Sequence, residues 1–181
     1  MLKKILIALA AIVVIFLIVV ALQPADFTVS RSAKVSAPQA DVFAQVNDLH
    51  KWDAWSPWAR LDPDAKMSFE GPEAGQGAAM RWAGNDRVGE GRLTLVETSP
   101  SDSIKLKVDF VKPFEGTANQ EFAFKPEGEQ TAVTWSMSGH RNFIHKAFCL
   151  VMNGEKMIGD DLEKGLAQLK TVAESGKAAS N

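Results

Sequence analysis

The chain has 181 residues, 46% hydrophobic and 23% charged, with a formal net charge of −2 and a pI of about 5.9. This is a globular composition, neither disordered nor collagen-like, and it holds no basic excess to neutralise a phosphate backbone, so no nucleic-acid partner is expected. The single cysteine, Cys149, excludes an intramolecular disulfide and a multi-cysteine metal site, while His50, His140 and His145 form no H-x-x-x-H or HExxH pattern. No metal or other cofactor is expected.

The first predicted element runs from Ile5 to Leu22, 18 apolar residues with no charge, Gly or Pro. As a helix it rises about 27 Å, close to a hydrocarbon core of about 30 Å. Fourteen of these residues are Ile, Leu, Val or Phe, and they supply at most about −4 to −8 kcal/mol for insertion. Lys3 and Lys4 precede the run, and the positive-inside rule keeps them cytoplasmic and sends the remainder across the inner membrane into an extracytoplasmic or periplasmic space. A cleaved signal peptide is the competing interpretation, with Val19-Val20-Ala21 as its site. The run is longer than a usual h-region, and no A-x-A follows it, which favours a retained single-pass anchor. A buried core helix is a third possibility, but nothing amphipathic marks a face. Without residues 1–22 the chain keeps 18 basic and 22 acidic residues, a net −4. Charge therefore does not draw the remainder onto anionic lipid, and the anchor must do the tethering.

Phe27 to Ser36 alternates loosely and predicts a strand. Ser36, Pro38 and Gln39 then read as a helix start with a capping box. Val42, Phe43, Val46 and Leu49 recur at helical spacing, and Trp52, Trp55 and Trp58 extend the rhythm past Pro57. One helix and a second short one are expected over 37–58. The period then falls to two. Strands are predicted around Met67 and Phe69, over Ala78–Ala83, around Leu93 and Leu95, over Ile104–Val111, around Phe122 and Phe124, and over Val133–Met137. Short turns between them imply an antiparallel meander. The chain returns to helix at Phe143–Met152, apolar nearly all round. A stripe of Ile158, Leu162, Leu166, Leu169 and Val172 follows, with a kink expected at Gly154 or Gly159.

The predicted order is strand, two helices, six strands and a long helix. A one-sided antiparallel sheet must cover its apolar face, and the C-terminal helix is the element available. The chain resembles the SRPBCC, or START-like, superfamily, which includes the polyketide cyclase/dehydrase and lipid-transport group. The resemblance covers about residues 27–175. It rests on the element order, on SAPQADVFAQVNDLHKWDAWSPW at Ser36–Trp58, and on the Gly-x-Gly-Ala of Gly75–Ala78 with RWAGN at Arg81–Asn85 and VGEG at Val88–Gly91. TAVTWSMSG at Thr131–Gly139 and DLEKGLAQLK at Asp161–Lys170 complete it. It implies an α+β helix-grip fold, a curved antiparallel sheet of six to seven strands around a long C-terminal helix; the apolar run places a transmembrane anchor and linker (1–26) before it, and the small, polar residues 176–181 read as a flexible tail. It does not specify ligand or reaction, because the superfamily hosts carriers, enzymes and orphans.

The fold implied by the resemblance tips the inward residues toward lining an apolar pocket for a small hydrophobic molecule or lipid. The inward strand positions are Leu93, Leu95, Leu106, Val108, Phe110, Phe122, Phe124, Val133, Trp135 and Met137. Trp82 and Met80 join from a neighbouring strand, and Phe148 and Met152 face them from the last helix. The same residues serve equally as packed core, and the two outcomes share one pattern. Trp52, Trp55 and Trp58 read either as an aromatic mouth or as packing of the short helices onto the sheet. A cyclase or dehydratase would need an inward acid or base. Strand parity leaves only Arg81, His140 and His145 as candidates, each more at home on a surface or at a cap, so no catalytic residue is assigned. A ligand-free interaction module with a filled core is the remaining alternative. Cys149, in an apolar stretch, reads as an inert thiol, and Gly89-Glu90-Gly91 as a bulge or sheet bend.

Overall fold

The computed structural model of the protein describes residues 1–178. It opens with α1 (Leu2–Leu22), apolar from Ile5 onward and long enough by length and composition to cross a membrane. Only Gln23, Pro24 and Ala25 separate it from β1 (Asp26–Val35). Their path is tied down at once, because the Arg141 amide donates to the Ala25 carbonyl at 2.7 Å.

After β1 come α2 (Gln39–Asn47) and a 3₁₀ turn, Leu49–Ala54. Six strands follow: β2 (Lys66–Glu70), β3 (Ala79–Ala83), β4 (Glu90–Ser99), β5 (Ser103–Lys112), β6 (Gly116–Glu127) and β7 (Gln130–His140). The seven strands among the described residues form one sheet in the order β1-β7-β6-β5-β4-β3-β2, every pair antiparallel. The meander is as the short turns imply, and the sheet takes its first strand at the far edge, beside its last. Alternation puts Leu93, Leu95, Ile104, Leu106, Val108, Phe122, Phe124, Val133 and Trp135 on one buried face. The pairing shifts register between Glu90 and Gly91 and again between Leu95 and Glu97, and such irregularities bend a sheet. Gly91 has a second role. A Cβ there would run into the Trp82 indole, which lies directly across it.

The C-terminal helix covers the buried face. It is two helices, α3 (Phe143–Met152) and α4 (Gly154–Ala178). Asn153 between them is left-handed at φ 52°, and its amide returns to the Cys149 carbonyl, closing α3 as an αL cap. The expected kink is thus a full break one residue before Gly154, and Gly159 lies inside an unbroken α4. Leu162, Leu166, Leu169 and Ala173 of α4 are buried in the core. α4 runs along β1 from Arg31, which pairs with Glu163, to Lys34, whose carbonyl accepts from Lys170. α3 stays outside the groove and packs against α1 and α4. The helix continues past Gly176, where the sequence suggests a tail, and residues 179–181 lie outside the described residues.

The expected capping box does not form. Pro38 is the N-cap of α2 and makes no side-chain cap bond. The Ser36 amide instead donates to Glu174 at 2.7 Å, and its hydroxyl accepts from Gln130. The Gln39 amide nitrogen reaches the carbonyls of Phe124 (3.0 Å) and Ser101. Tertiary partners have taken both side chains from the local motif.

Candidate ligand-binding pocket

The groove between sheet and helices divides along its length. Its far half is solid. Trp55, Trp135, Phe122 and Phe124 are fully buried, with Phe122 stacked on Trp135 at 4.7 Å and Trp52 against Trp55 at 4.6 Å. The Trp52 and Trp55 indoles donate to the Val46 and Gln45 carbonyls at 2.9 and 3.1 Å, which fastens the 3₁₀ turn to α2. Buried indole N–H groups need such partners. Leu95 and Leu106 also belong to this packed half.

The near half is open, with a cavity of about 380 Å³. Its walls are Trp82, Leu93, Val108, Phe110 and Met137 from the sheet with Met80. The rows of cross-strand partners locate it. Met80 pairs with Leu93, Leu93 with Val108, Val108 with Ala118, Ala118 with Gly139, and Gly139 with Phe27. Phe27 is the second residue of β1, so the cavity sits at the end of the sheet from which α1 leaves. One pair further out, Phe110, Gly91 and Trp82 face each other, the two rings edge to face at 6.2 Å. Trp82 donates to the Val88 carbonyl at 3.0 Å, which holds the β3–β4 turn over the opening. Asp53, Asp62, Asp86, Arg87 and Lys112 are its charged lining residues.

Of the tryptophan series, Trp52 and Trp55 pack the turn onto the sheet, while Trp52 and Trp58 also line the cavity. Trp58 meets Trp135 edge to face at 5.7 Å, and its indole lies near the Asp161 carboxyl of α4. Burial holds that carboxyl above its ordinary range, partly offset by the nearby Trp58 indole.

The expected wall residues therefore fall into three groups. Trp82, Leu93, Val108, Phe110 and Met137 face the cavity. Leu95, Leu106, Phe122, Phe124 and Trp135 fill the packed half. Phe148 and Met152 require correction, because they lie outside the groove, 50% and 49% exposed on α3. The break at Asn153 turns α3 off the line of α4, so only α4 faces the sheet. Arg81, His140 and His145 are placed elsewhere. Arg81 pairs with Glu70 at 2.6 Å on the outer face, His140 with Asp26 at 2.9 Å at the sheet's end, and the His145 amide donates to the Asn142 cap. No cluster of three or more His, Cys, Asp or Glu suited to a metal occurs among the described residues.

Several pocket residues escaped the sequence pattern, among them Ser56, Met67 and Val88 from outside the predicted inward row, and one from within it. Gln120 of β6 is 4% exposed, lines the cavity, and accepts from the Trp135 indole at 3.0 Å. It shares the parity of Phe122 and Phe124, so extending their alternation back by two residues would have found it.

A seven-stranded antiparallel sheet gripping one long helix over an apolar cavity is the helix-grip architecture. The chain belongs to the polyketide cyclase/dehydrase and lipid transport family, whose model matches residues 26–174. Solved structures share the fold. The Aha1 dimer from Colwellia psychrerythraea aligns over 83% of this chain and 98% of its own at 14% identity, with a TM-score of 0.60. Protein CV1439 from Chromobacterium violaceum aligns over 81% and 96% at 16% identity, with a TM-score of 0.57. A protein from Arthrobacter aurescens aligns over 82% and 86% at 18% identity, with a TM-score of 0.58. No curated protein sequence matches the chain significantly.

Proposed function

We propose that the protein is a membrane-tethered domain that binds a small hydrophobic molecule or lipid in the cavity between sheet and α4. The observation that carries this is position: the apolar cavity opens at the end of the sheet joined to α1. Burying apolar ligand surface there contributes about 25 cal/mol per Å² before ordering costs. Further apolar surface gathers at that end. Phe114 in the β5–β6 turn is exposed and meets His145 of α3 at 6.0 Å, and Ile144, Phe148 and Val151 of α3 are exposed beside α1. An exposed patch of this kind suits a lipid surface. In this reading α1 is retained, Lys3 and Lys4 stay cytoplasmic, and the domain stands on the other side of the membrane, with its pocket against its lipid source.

Native mass spectrometry of the full chain, extracted in mild detergent, tests it. The expected result is an apolar adduct on the wild type that disappears in Val108→Trp. A wild type that carries no adduct and takes up no apolar molecule from added lipid would overturn the proposal and favour an interaction module.

A further inference from the structure

We infer that the pocket's occupant carries a hydrogen-bond acceptor, a carbonyl-type oxygen, that is read by the Nε2 amide of Gln120. The inference rests on the hydrophobic-ligand reading and names the chemistry of that ligand. Gln120 and Thr131 are the buried polar side chains among the described residues. Thr131 is satisfied, because its hydroxyl donates to the Ala37 carbonyl at 2.8 Å. Gln120 is only half satisfied. An indole N–H can only donate, so the atom facing Trp135 Nε1 must be the amide oxygen. That contact settles which way the amide is turned and leaves Nε2, with two N–H groups, for the cavity that Gln120 lines. No side chain or carbonyl of the described residues accepts from it. Its cross-strand partners are Leu106 and Met137, which offer no oxygen in their side chains.

Nε2 is not among the fully buried side-chain atoms that lack a partner, so it is open to the cavity; a ligand that fills the cavity cuts it off from solvent and must supply an acceptor or leave the donor unpaired at a cost. A site built around such a group discriminates strongly against an analogue that lacks the matching atom. The deep donor therefore selects one oxygen on an otherwise apolar body. Asp53, Ser56, Asp62, Asp86, Arg87 and Lys112 also line the cavity, but none of them is buried, which leaves the buried selection to the amide.

Three isosteric tricyclic probes separate the possibilities: fluorene with no polar group, fluorenone with an acceptor, and carbazole with a donor only. Each is titrated into the full chain in nanodiscs, and occupancy is read by native mass spectrometry. The quantity of interest is the fluorenone-to-fluorene affinity ratio in wild type divided by that ratio in Gln120→Met. Partition of the probes between water and lipid cancels in this quotient. The expected quotient is about ten, the size of one net hydrogen bond. Fluorene binding retained by Gln120→Met certifies that the variant pocket is folded. Should the variant not fold, the wild type alone decides, because carbazole is then expected to bind no better than fluorene and fluorenone better than both. A quotient near one, or carbazole matching fluorenone, overturns the inference while fluorene binding leaves the hydrophobic-ligand reading standing. If none of the three binds, both fall.

Discussion

Asp161 is an acid set against the core, near the Trp58 indole and next to Asp160 and Lys164. Burial raises its pKa, so the folded chain holds this proton more tightly than the unfolded chain. Stability is therefore lost as pH rises through the folded value, and protonation restores it. Asp161→Asn keeps an oxygen for the indole and removes the charge. Its Tm should exceed the wild type's at about pH 7 and the gain should vanish at about pH 3, where the carboxyl is neutral in both states; calorimetry at the two values checks this. Two residues on the inward face of one strand give a sharper contrast. Val108 lines the cavity and Leu106 lies in the packed half, fully buried. Val108→Trp should fill the cavity, abolish binding of an apolar probe and leave Tm nearly unchanged. Leu106→Trp has no space to enter and should cost about 1–3 kcal/mol in denaturant unfolding. Parity treats these two positions alike, and that is the limit of what alternation tells. It says which way a side chain points, whereas Trp52 and Trp55, delivered from outside the sheet, decide which end of the groove is filled.

At the scale of elements, α4 is shaped by what it lies on. A Cβ at Gly165 would sit 2.5 Å from the Trp135 ring and 3.0 Å from the Pro57 ring, both held in the core. Gly165→Ala should destabilise the domain, because overpacking of about 1–3 kcal/mol outweighs a helix-propensity gain of about 1 kcal/mol or less. At Gly159 the obstacle is the tip of Arg31, a long side chain that can swing aside. Gly159→Ala should be neutral or slightly stabilising, and urea melts of the pair test the difference. The strands and the stripe of α4 were legible because each repeats a clean period over many residues. The break before α4 also had a signal, the Asn153-Gly154 dipeptide, since Asn tolerates the left-handed conformation and Asn-Gly marks turns. In the sequence it reads only as a kink, because the apolar run Phe143–Met152 before it and the stripe from Ile158 after it look like one continuing helix. The start of α2 misled for the opposite reason. Its local motif was complete, but Glu174 and Gln130, far along the chain, claimed Ser36.

The whole molecule was readable in outline because its order of elements is distinctive and its first 22 residues stand apart in composition. The existence and depth of the cavity were not, since they depend on how far the aromatic residues of one short turn reach into the groove. The membrane assignment makes its own prediction. The mature chain should retain residues 1–22 by intact mass and stay with membranes through alkaline extraction, and a periplasm-active reporter fused after residue 175 should be active. A soluble product starting near Leu22 would show a cleaved signal instead.

The link of Gln23, Pro24 and Ala25 can extend no more than about 10 Å, and the bond from Arg141 to Ala25 shortens it further. If α1 is retained in a bilayer and the pocket carries a ligand, as proposed, a domain on so brief a leash would not ferry cargo across an aqueous gap. It would work within the plane of the bilayer, and whatever left its pocket would return to the same leaflet or pass directly to a partner that comes to the membrane to collect it.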